Sequence, residues 1–246
     1  MNGQYDRGAD EVVRPAPIVS LSGTSLVFGS QAIGTTSAPL TLTVSNVGGA
    51  PLIFNAAAPV ATAGVSISGN FAIAAGTTCV SGGTVASGAS CVINVTFSAT
   101  APGGAKSGTL TLRDNAGTPT QTVSLSGTAA QGEVSFSSAT LGTLSTTFGQ
   151  RTLAFGNLSG TRTSVVTLTN TGNAPVIYGT ATVSNSTGTA FSKGTDSCAG
   201  NTVAAGATCT ITINFAAPAN NSNRVGTLSV PDNGAGSPQT LRLTGS

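Results

Sequence analysis

Four cysteines, in two pairs of similar spacing, are the side chains of this 246-residue chain with the clearest chemistry. Cys79 and Cys91 enclose eleven residues, and Cys198 and Cys209 enclose ten, mostly Gly, Ser, Ala and Thr. A disulfide across such a loop stabilises a small domain by about 3 kcal/mol in the chain-entropy model. The spacing therefore predicts one structural disulfide per pair. Buried free thiols in a reducing cytoplasm stay open as an alternative.

Other cysteine chemistry fits this spacing poorly. A four-cysteine metal site would need the two pairs to meet from different domains, and neither pair has the C-x2-C spacing of a zinc knuckle. A redox-active pair is normally closer in sequence than these cysteines are.

Acids are the remaining candidates for catalysis, because the chain has no histidine and so excludes Ser-His-Asp, Cys-His and histidine-metal sites. Asp114 and Asp232 occupy the same place in two matching Asp-Asn segments. A calcium-binding turn is one interpretation, but calcium takes about six to eight oxygen ligands and no EF-hand-like alternation is present. We predict that both are hairpin-turn residues. No catalytic residue, metal ligand or cofactor is predicted, so we expect a protein that is not an enzyme.

Two Asn-x-Gly turns are also repeated along the chain. Asn46 and Gly48 form the first, and Asn170 and Gly172 form the second. Asparagine at such a position commonly bonds to the backbone of its own turn. We therefore predict that these four are turn residues and not ligands.

Two rarer chemistries have few candidate residues. Some Ig-like surface domains cross-link a lysine to an asparagine with help from an acid, but Lys106 and Lys193 are not equivalent in the repeat. We expect no acid in strand register with either lysine. Carbohydrate sites use exposed aromatic rings, and Tyr178 is the one candidate here, although its more common role would be packing in the core or at its rim.

Charge is scarce and nearly balanced, with nine basic and seven acidic residues and a net charge of +2. No run of Lys or Arg forms the footprint of a nucleic-acid site, so we expect no nucleic-acid partner. No stretch reaches the roughly 18 apolar residues of a membrane helix, so we expect no membrane insertion. Five of the sixteen charged residues lie in the first 17 positions, which end in Pro15 and Pro17 and predict an extended arm. No signal peptide is visible, which indicates a mature form, a fragment, or another exit route such as a virus particle.

Most of the chain consists of two copies of one sequence pattern. Residues 42–52 (LTVSNVGGAPL) match residues 166–176 (VTLTNTGNAPV), and residues 107–117 match residues 225–235. Such an internal repeat predicts two domains of one fold. The predicted divisions are an extended charged arm at 1–17, a first domain at 18–128 and a second domain at 129–246.

Apolar and polar residues alternate through both copies. Residues 91–97 and 209–215 each place a cysteine and three apolar residues on one face and polar residues mainly on the other. This period of two is typical of half-buried antiparallel strands, and seven or eight of them per copy indicate a β-sandwich. The fold prediction is all-β, with two tandem immunoglobulin-like antiparallel sandwiches. The second copy carries extra residues near 138–151, predicted to form an added hairpin or a long edge loop.

The order of motifs in each copy carries a family resemblance. Each has an L-x-F-G motif, an N-x-G-x-x-P turn, a cysteine pair with Gly-Ala-Ser/Thr before the second cysteine, and a closing Leu-x-Gly. These motifs lie at 26–29, 46–51, 79–91 and 125–127, and again at 153–156, 170–175, 198–209 and 243–245. This order resembles the bacterial choice-of-anchor D proteins and the wider ASPM/SPD-2/Hydin group. The resemblance covers nearly all of both domains but not the arm. It implies an Ig-like sandwich, often in tandem, in large surface or exported proteins, and it carries no catalytic residues.

Three functions remain open from the sequence. The leading one is a non-enzymatic structural or adhesive module at the bacterial cell surface or outside the cell, acting through protein partners or self-assembly. A virion protein, such as a capsid decoration or tail accessory subunit anchored by residues 1–17, is an alternative. A carbohydrate-binding module of an exported protein is the third.

Overall fold

Every regular element that the structure describes is a β-strand, which confirms the all-β prediction. The structure is a computed structural model, and it describes residues 15–55, 63–147 and 149–246. The strands are β1 (Val19–Leu21), β2 (Ser25–Ala32), β3 (Leu40–Asn46), β4 (Leu52–Ile53), β5 (Val65–Ile67), β6 (Phe71–Ile73), β7 (Thr84–Val85), β8 (Ser90–Phe97), β9 (Gly104–Arg113), β10 (Thr120–Ala130), β11 (Val134–Ala139), β12 (Thr143–Thr147), β13 (Gln150–Ala154), β14 (Thr161–Asn170), β15 (Val176–Ile177), β16 (Thr182–Asn185), β17 (Phe191–Asp196), β18 (Thr202–Val203), β19 (Thr208–Ala216), β20 (Arg224–Val230) and β21 (Gln239–Gly245).

The described chain divides into two compact units, which we call repeat 1 and repeat 2. Repeat 1 holds the described residues up to Ala99 together with Ala105–Thr128, and repeat 2 holds Thr100–Gly104 together with Ala129–Ser246. Strand β10 ends at Ala130, so strand structure continues through the predicted boundary after residue 128.

Repeat 1 is built from two four-stranded sheets, β1-β3-β8-β6 and β2-β10-β9-β5, with a short β4–β7 pair beside them. Strands β3 and β8 are antiparallel, and their register places Leu42 opposite Ile93 and Val44 opposite Cys91. Leu42, Val44 and Ile93 are fully buried. Because alternate residues of a strand point to opposite faces, the same strands turn Thr and Ser side chains outward.

Repeat 2 has the same plan, with sheets β11-β14-β19-β17 and β12-β13-β21-β20-β16 and a short β15–β18 pair. Leu168 lies opposite Cys209 in the antiparallel β14–β19 ladder, which matches Val44 opposite Cys91 in repeat 1. The β13–β21 pair is parallel. Two sheets per unit, with one apolar face each, form the predicted Ig-like sandwich in both repeats.

Three phenylalanines pack against one another in the same way in each sandwich. In repeat 2 the ring centroids of Phe155, Phe191 and Phe215 are 5.0–5.9 Å apart. Phe28, Phe71 and Phe97 form the repeat 1 cluster, at 5.2–6.2 Å. The closing Leu-x-Gly motif leaves room for it, since a Cβ on Gly127 would lie 2.7 Å from the Phe97 ring and one on Gly245 would lie 2.6 Å from the Phe215 ring.

The extra residues predicted near 138–151 contribute a hairpin. Strands β12 and β13 pair antiparallel, from Thr143 opposite Ala154 to Thr147 opposite Gln150. Phe148, at the turn, lies outside the described residues. Of the two forms predicted for this segment, the structure has the hairpin, and β12 becomes the outermost strand of its sheet.

Most of the predicted N-terminal arm, residues 1–14, lies outside the described residues. The three arm residues that are described already belong to repeat 1. Pro17 is buried, and the Ala16 carbonyl accepts a hydrogen bond of 3.0 Å from the Gly49 amide. The sandwich therefore begins before residue 18, the predicted start of the first domain.

Candidate functional site

The Asn-x-Gly turn, the cysteine loop and the Asp-Asn turn of each repeat meet at one end of its sandwich, which we call the capped end. The capped end consists of residues 46–51, strand β4 and residues 79–91 and 114–117 in repeat 1, and of residues 170–175, strand β15 and residues 198–209 and 232–235 in repeat 2. Leu52 of β4 pairs with Val85 in the cysteine loop, and Phe54 forms a bridge with Asp114. The fold thus brings the Asn-x-Gly turn, the cysteine loop and the Asp-Asn turn together in each repeat.

Asn46 is the hub of the repeat 1 capped end. It is fully buried, and its Nδ2 donates to the carbonyls of Ala50 at 2.8 Å and Val85 at 3.0 Å. Its Oδ1 accepts from the amides of Gly48 at 3.1 Å and Ile18 at 3.3 Å. One side chain therefore ties together its own turn, the start of β1 and the cysteine loop through hydrogen bonds to four backbone groups.

Asn170 makes the equivalent set of contacts in repeat 2. Its Nδ2 donates to Ala174 O at 2.8 Å and Val203 O at 2.9 Å. Its Oδ1 accepts from the amides of Gly172 at 3.1 Å and Glu133 at 3.4 Å. The repetition of a fully buried asparagine with the same four kinds of partner shows that this position builds the sandwich end.

Glycine is required in both turns because another segment of backbone lies against them. A Cβ at Gly48 would collide with the Ala16 carbonyl and the Ile18 amide, and a Cβ at Gly172 would collide with Gln131 O. The turn glycines therefore allow the segment that leads into the first strand of each sandwich to pack directly on the turn.

Both cysteine pairs are disulfides in the structure. Cys79 is joined to Cys91 and Cys198 to Cys209, each with a Cα–Cα distance of 5.2 Å. All four sulfurs lie in buried residues, and no free cysteine is present. Disulfides persist in oxidising surroundings, so they indicate that the folded chain works in the extracellular or periplasmic space.

The two aspartates bond to their own turns. Asp114 Oδ1 accepts from the Ala116 amide at 2.8 Å, and Asp232 Oδ1 accepts from the Gly234 amide at 2.7 Å. The neighbouring Asn115 braces the turn against β4, because its Oδ1 accepts from the Ile53 amide at 2.8 Å. Sequence reasoning did not assign this bracing role, although the repeated Asp-Asn pair was a signal for it.

One carboxylate oxygen of each aspartate is buried without a hydrogen-bond partner among the described residues. Burial raises the pKa of Asp114 above its ordinary value, and the Ala116 amide offsets only part of that effect. Burial likewise raises the pKa of Asp232, against the hydrogen bonds from Gly234 and Gln239. Burial, together with the Asp232 charge, raises the pKa of Tyr178 to about 12. The folded state therefore favours the neutral forms of these groups.

These raised values predict a pH-dependent effect of replacing both aspartates with asparagine. The pKa of an aspartate carboxyl is 3.8 in the unfolded chain and higher in the folded chain. At a pH between these two pKa values, the folded chain holds protons that the unfolded chain has released, so rising pH destabilises the parent. Asparagine keeps the Oδ1 acceptor and removes that loss. Denaturant unfolding at pH 3 and pH 7 should therefore show the Asp114→Asn/Asp232→Asn variant gaining stability relative to the parent as pH rises.

Asp196 supplies a control of opposite sign. Burial acts to raise its pKa, but the hydrogen bond from Lys193, the Ala199 amide and the Lys193 charge outweigh burial, so its pKa is lowered. An Asp196→Asn variant should lose stability relative to the parent as the pH rises toward 3.8, the pKa of aspartate in the unfolded chain. The same slope for both variants would contradict the assignment.

Tyr178 is not an exposed aromatic platform. It is 1% exposed and belongs to the repeat 2 core, because the alternation of Val176, Ile177 and Tyr178 turns only Ile177 outward. The one aromatic candidate for carbohydrate binding is thus a packing residue.

Lys193 faces Ile213 across the β17–β19 ladder and not an acid, but it has an acidic neighbour on its own strand. Its Nζ forms an ion pair of 3.0 Å with Asp196 Oδ2. The register of β17 against β19 shifts between these two residues, and this irregularity brings positions three apart onto one side. Asp196 Oδ1 also accepts from the amides of Cys198 and Ala199, so the pair anchors the start of the cysteine loop.

The described ranges contain no cluster of metal-ligating side chains and no membrane-spanning helix. Residues 15–55, 63–147 and 149–246 bring together no group of three or more His, Cys, Asp or Glu side chains that could hold a metal ion. They also contain no helix of sufficient length and apolar character to cross a membrane.

Comparison with known proteins gives distant structural similarities only. No protein-family model and no curated protein matches this chain. A protein of unknown function from Porphyromonas gingivalis W83 is 16% identical over 93% of this chain and 99% of its own, with a TM-score of 0.36. The ASH/PapD-like domain 7 of human CEP192 is 15% identical over 48% of this chain and 89% of its own, with a TM-score of 0.35. The Pseudomonas aeruginosa CupB2 chaperone is 15% identical over 92% of this chain and 98% of its own, with a TM-score of 0.30. At such values these similarities carry no argument about function.

Proposed function

We propose that this chain is a non-enzymatic module that makes protein–protein contacts at a cell surface, with repeat 1 as the contacting domain. The observation that carries this proposal is an asymmetry in exposed apolar side chains. Of the seven large apolar residues that are exposed in the described chain, six lie in repeat 1. They are Ile18, Val27, Val47, Ile53, Ile73 and Val80.

Repeat 2 provides an internal reference for this asymmetry. Ile18 is 56% exposed and Val47 is 61% exposed, and the Val47 amide donates to the Ile18 carbonyl at 2.8 Å. In repeat 2 the same bond joins the Thr171 amide to the Glu133 carbonyl, also at 2.8 Å. The fold therefore accepts polar side chains at both positions, so repeat 1 does not need its apolar pair for packing. Exposed apolar side chains that folding does not require are typical of interaction surfaces.

The polar faces of the sandwiches suit the same function. Outward hydroxyl and amide side chains bond to one another across strands, as Thr41 does to Asn94 at 2.7 Å and Thr163 to Asn214 at 2.9 Å. Side chains that are already ordered lose little conformational freedom when a partner binds. The two disulfides support exposure outside the cytoplasm.

No observation favours the other two functions. The virion alternative depended on the arm, of which residues 1–14 lie outside the described residues. The carbohydrate alternative depended on Tyr178, which is buried.

Binding of the labelled, oxidised chain to intact cells of its source should be saturable and should disappear when the cells are treated with protease first. Replacing the apolar pair with its repeat 2 counterparts, Ile18→Glu and Val47→Thr, should weaken binding by about tenfold or more, because a few buried residues usually carry most of the binding energy of an interface and a charge there must be desolvated.

Ile177→Thr is the matched control, since it removes an exposed isoleucine of repeat 2 and should leave binding unchanged. Binding that resists protease but is lost after periodate treatment of cell glycans would refute the proposal. Equal losses for the two variants would refute the assignment to repeat 1.

A further inference from the structure

Strand β13 of repeat 2 is covered on its outer side by a strand of its own chain. Strand β12 pairs with it and places Leu144 opposite Leu153 and Thr143 opposite Ala154. Leu144 packs against the repeat 2 core, and beneath this cover Leu153 is 0% exposed and Phe155 is 4% exposed. The added strand therefore completes the burial of the L-x-F-G motif.

Strand β2 of repeat 1 carries the same motif without such a cover. It is the edge strand of its sheet, and no described strand pairs with its outer side. Leu26 and Phe28, the counterparts of Leu153 and Phe155, remain partly exposed, and Val27 between them is 67% exposed. The core of repeat 1 is thus less completely buried at the position that β12 fills in repeat 2.

The backbone of this edge is oriented for pairing. In repeat 2 the Phe155 amide donates inward to Thr244 O at 2.8 Å, so the neighbouring Ala154 directs its backbone groups outward to β12. Val27 is the counterpart of Ala154, and its N–H and C=O therefore face the open side. Unpaired backbone groups beside exposed apolar side chains form the template to which an extended peptide adds as a strand.

We propose that the outer edge of β2 binds an extended segment of a protein partner as an added antiparallel strand. The occupant has the chemistry of β12, Thr-Leu-Ser-Thr-Thr: an uncharged strand of about five residues with one apolar side chain among hydroxyl residues. That apolar side chain lies opposite Leu26 and packs on the repeat 1 core, as Leu144 lies opposite Leu153 and packs on the repeat 2 core. The inference rests on the proposed protein-contact function and adds a strand-binding edge in repeat 1 to the Ile18 and Val47 contact.

The probe is a synthetic peptide with the sequence of residues 140–147, TLGTLSTT, added to the full-length oxidised chain. Hydrogen exchange read by mass spectrometry should show the amides of residues 24–28 slowed about tenfold or more at saturating peptide, with no protection elsewhere in repeat 1. The same peptide with aspartate in place of Leu144 should give no protection.

Two variants of Val27 keep the test specific. Val27→Pro removes the outward N–H and should abolish protection, whereas Val27→Thr keeps it and should bind the peptide like the parent. Val27→Lys, which places a charge on the edge, replaces the proline variant if that chain unfolds at a lower temperature than the parent.

Unchanged exchange at residues 24–28 with millimolar peptide overturns the inference. Slow exchange at residues 24–28 in the free chain also overturns the inference if a simple change makes it fast. If removal of residues 1–14 makes it fast, this chain fills the edge, and if dilution makes it fast, a second copy fills it. If parent and Val27→Pro bind cells equally while the peptide gives no protection, the edge site fails and the protein-contact function stands. If the peptide protects the edge but no chain binds cells, the edge site stands and the protein-contact function at the cell surface fails.

Discussion

Replacing Asn46 with alanine is expected to lower the free energy of unfolding of repeat 1 by about 3–5 kcal/mol. The fully buried side chain bonds to four backbone groups, on Ala50, Val85, Gly48 and Ile18. Alanine leaves all of them without that partner, and each buried orphan group costs about 1–3 kcal/mol unless water reaches it. Denaturant unfolding of the full chain, followed by hydrogen exchange in repeat 1, measures the loss.

Two further variants show whether the effect comes from the buried network. Asn170→Ala should produce a similar loss in repeat 2, because its contacts are equivalent. Asn94→Ala removes a partly exposed asparagine that bonds to Thr41 and to Ala75 O, and it should cost about 1 kcal/mol or less. A loss for Asn46→Ala no larger than that for Asn94→Ala would mean that Asn46 is not the hub of the capped end.

Removing one disulfide with the double change Cys79→Ala/Cys91→Ala should destabilise repeat 1 by about 3 kcal/mol. The reason is that the bridge closes a loop with a sequence separation of 12, which limits the unfolded chain more than the folded one. Alanine is preferred to serine because both positions are buried, and an unpartnered hydroxyl would add its own cost. Calorimetry of parent and variant under oxidising conditions measures the change.

The matched change Cys198→Ala/Cys209→Ala should act on repeat 2 to a similar extent, since its separation is 11. Reduction of the parent should reproduce the loss in each repeat, and reduction of a variant should affect only the repeat that keeps its bridge. If reduction leaves both unfolding transitions unchanged, the bridges do not contribute to stability.

The period of two in the sequence was sufficient to predict the sandwiches, because strand burial alternates with the same period. Residues 91–97 and 209–215 were predicted to turn alternate residues inward, and Ile93, Phe97, Ile211 and Phe215 are all fully buried. The internal repeat supported this further, since a pattern that occurs twice is less subject to chance. The disulfide pairing could be predicted from the spacing of the cysteines and from the position of Cys91 and Cys209 on the inward face of their strands.

Features that depend on register or on side-chain direction could not be read in this way. The register shift in β17 brings Lys193 to Asp196, and no residue pattern marks where a ladder becomes irregular. Packing was the favoured role for Tyr178 and is confirmed, but its complete burial depends on the phase of a two-residue strand, which is too short to show a period. The open edge of β2 became visible only when its cover in repeat 2 was known.

Peptide mapping of the protein isolated from its native source tests the central claim, that each repeat is an oxidised sandwich working outside the reducing cytoplasm. Free thiols are alkylated before denaturation, and the digest is analysed without reduction. We predict that Cys79 is linked to Cys91 and Cys198 to Cys209, with no alkylated cysteine. Alkylation at all four positions would place the folded chain in a reducing compartment and contradict the surface function.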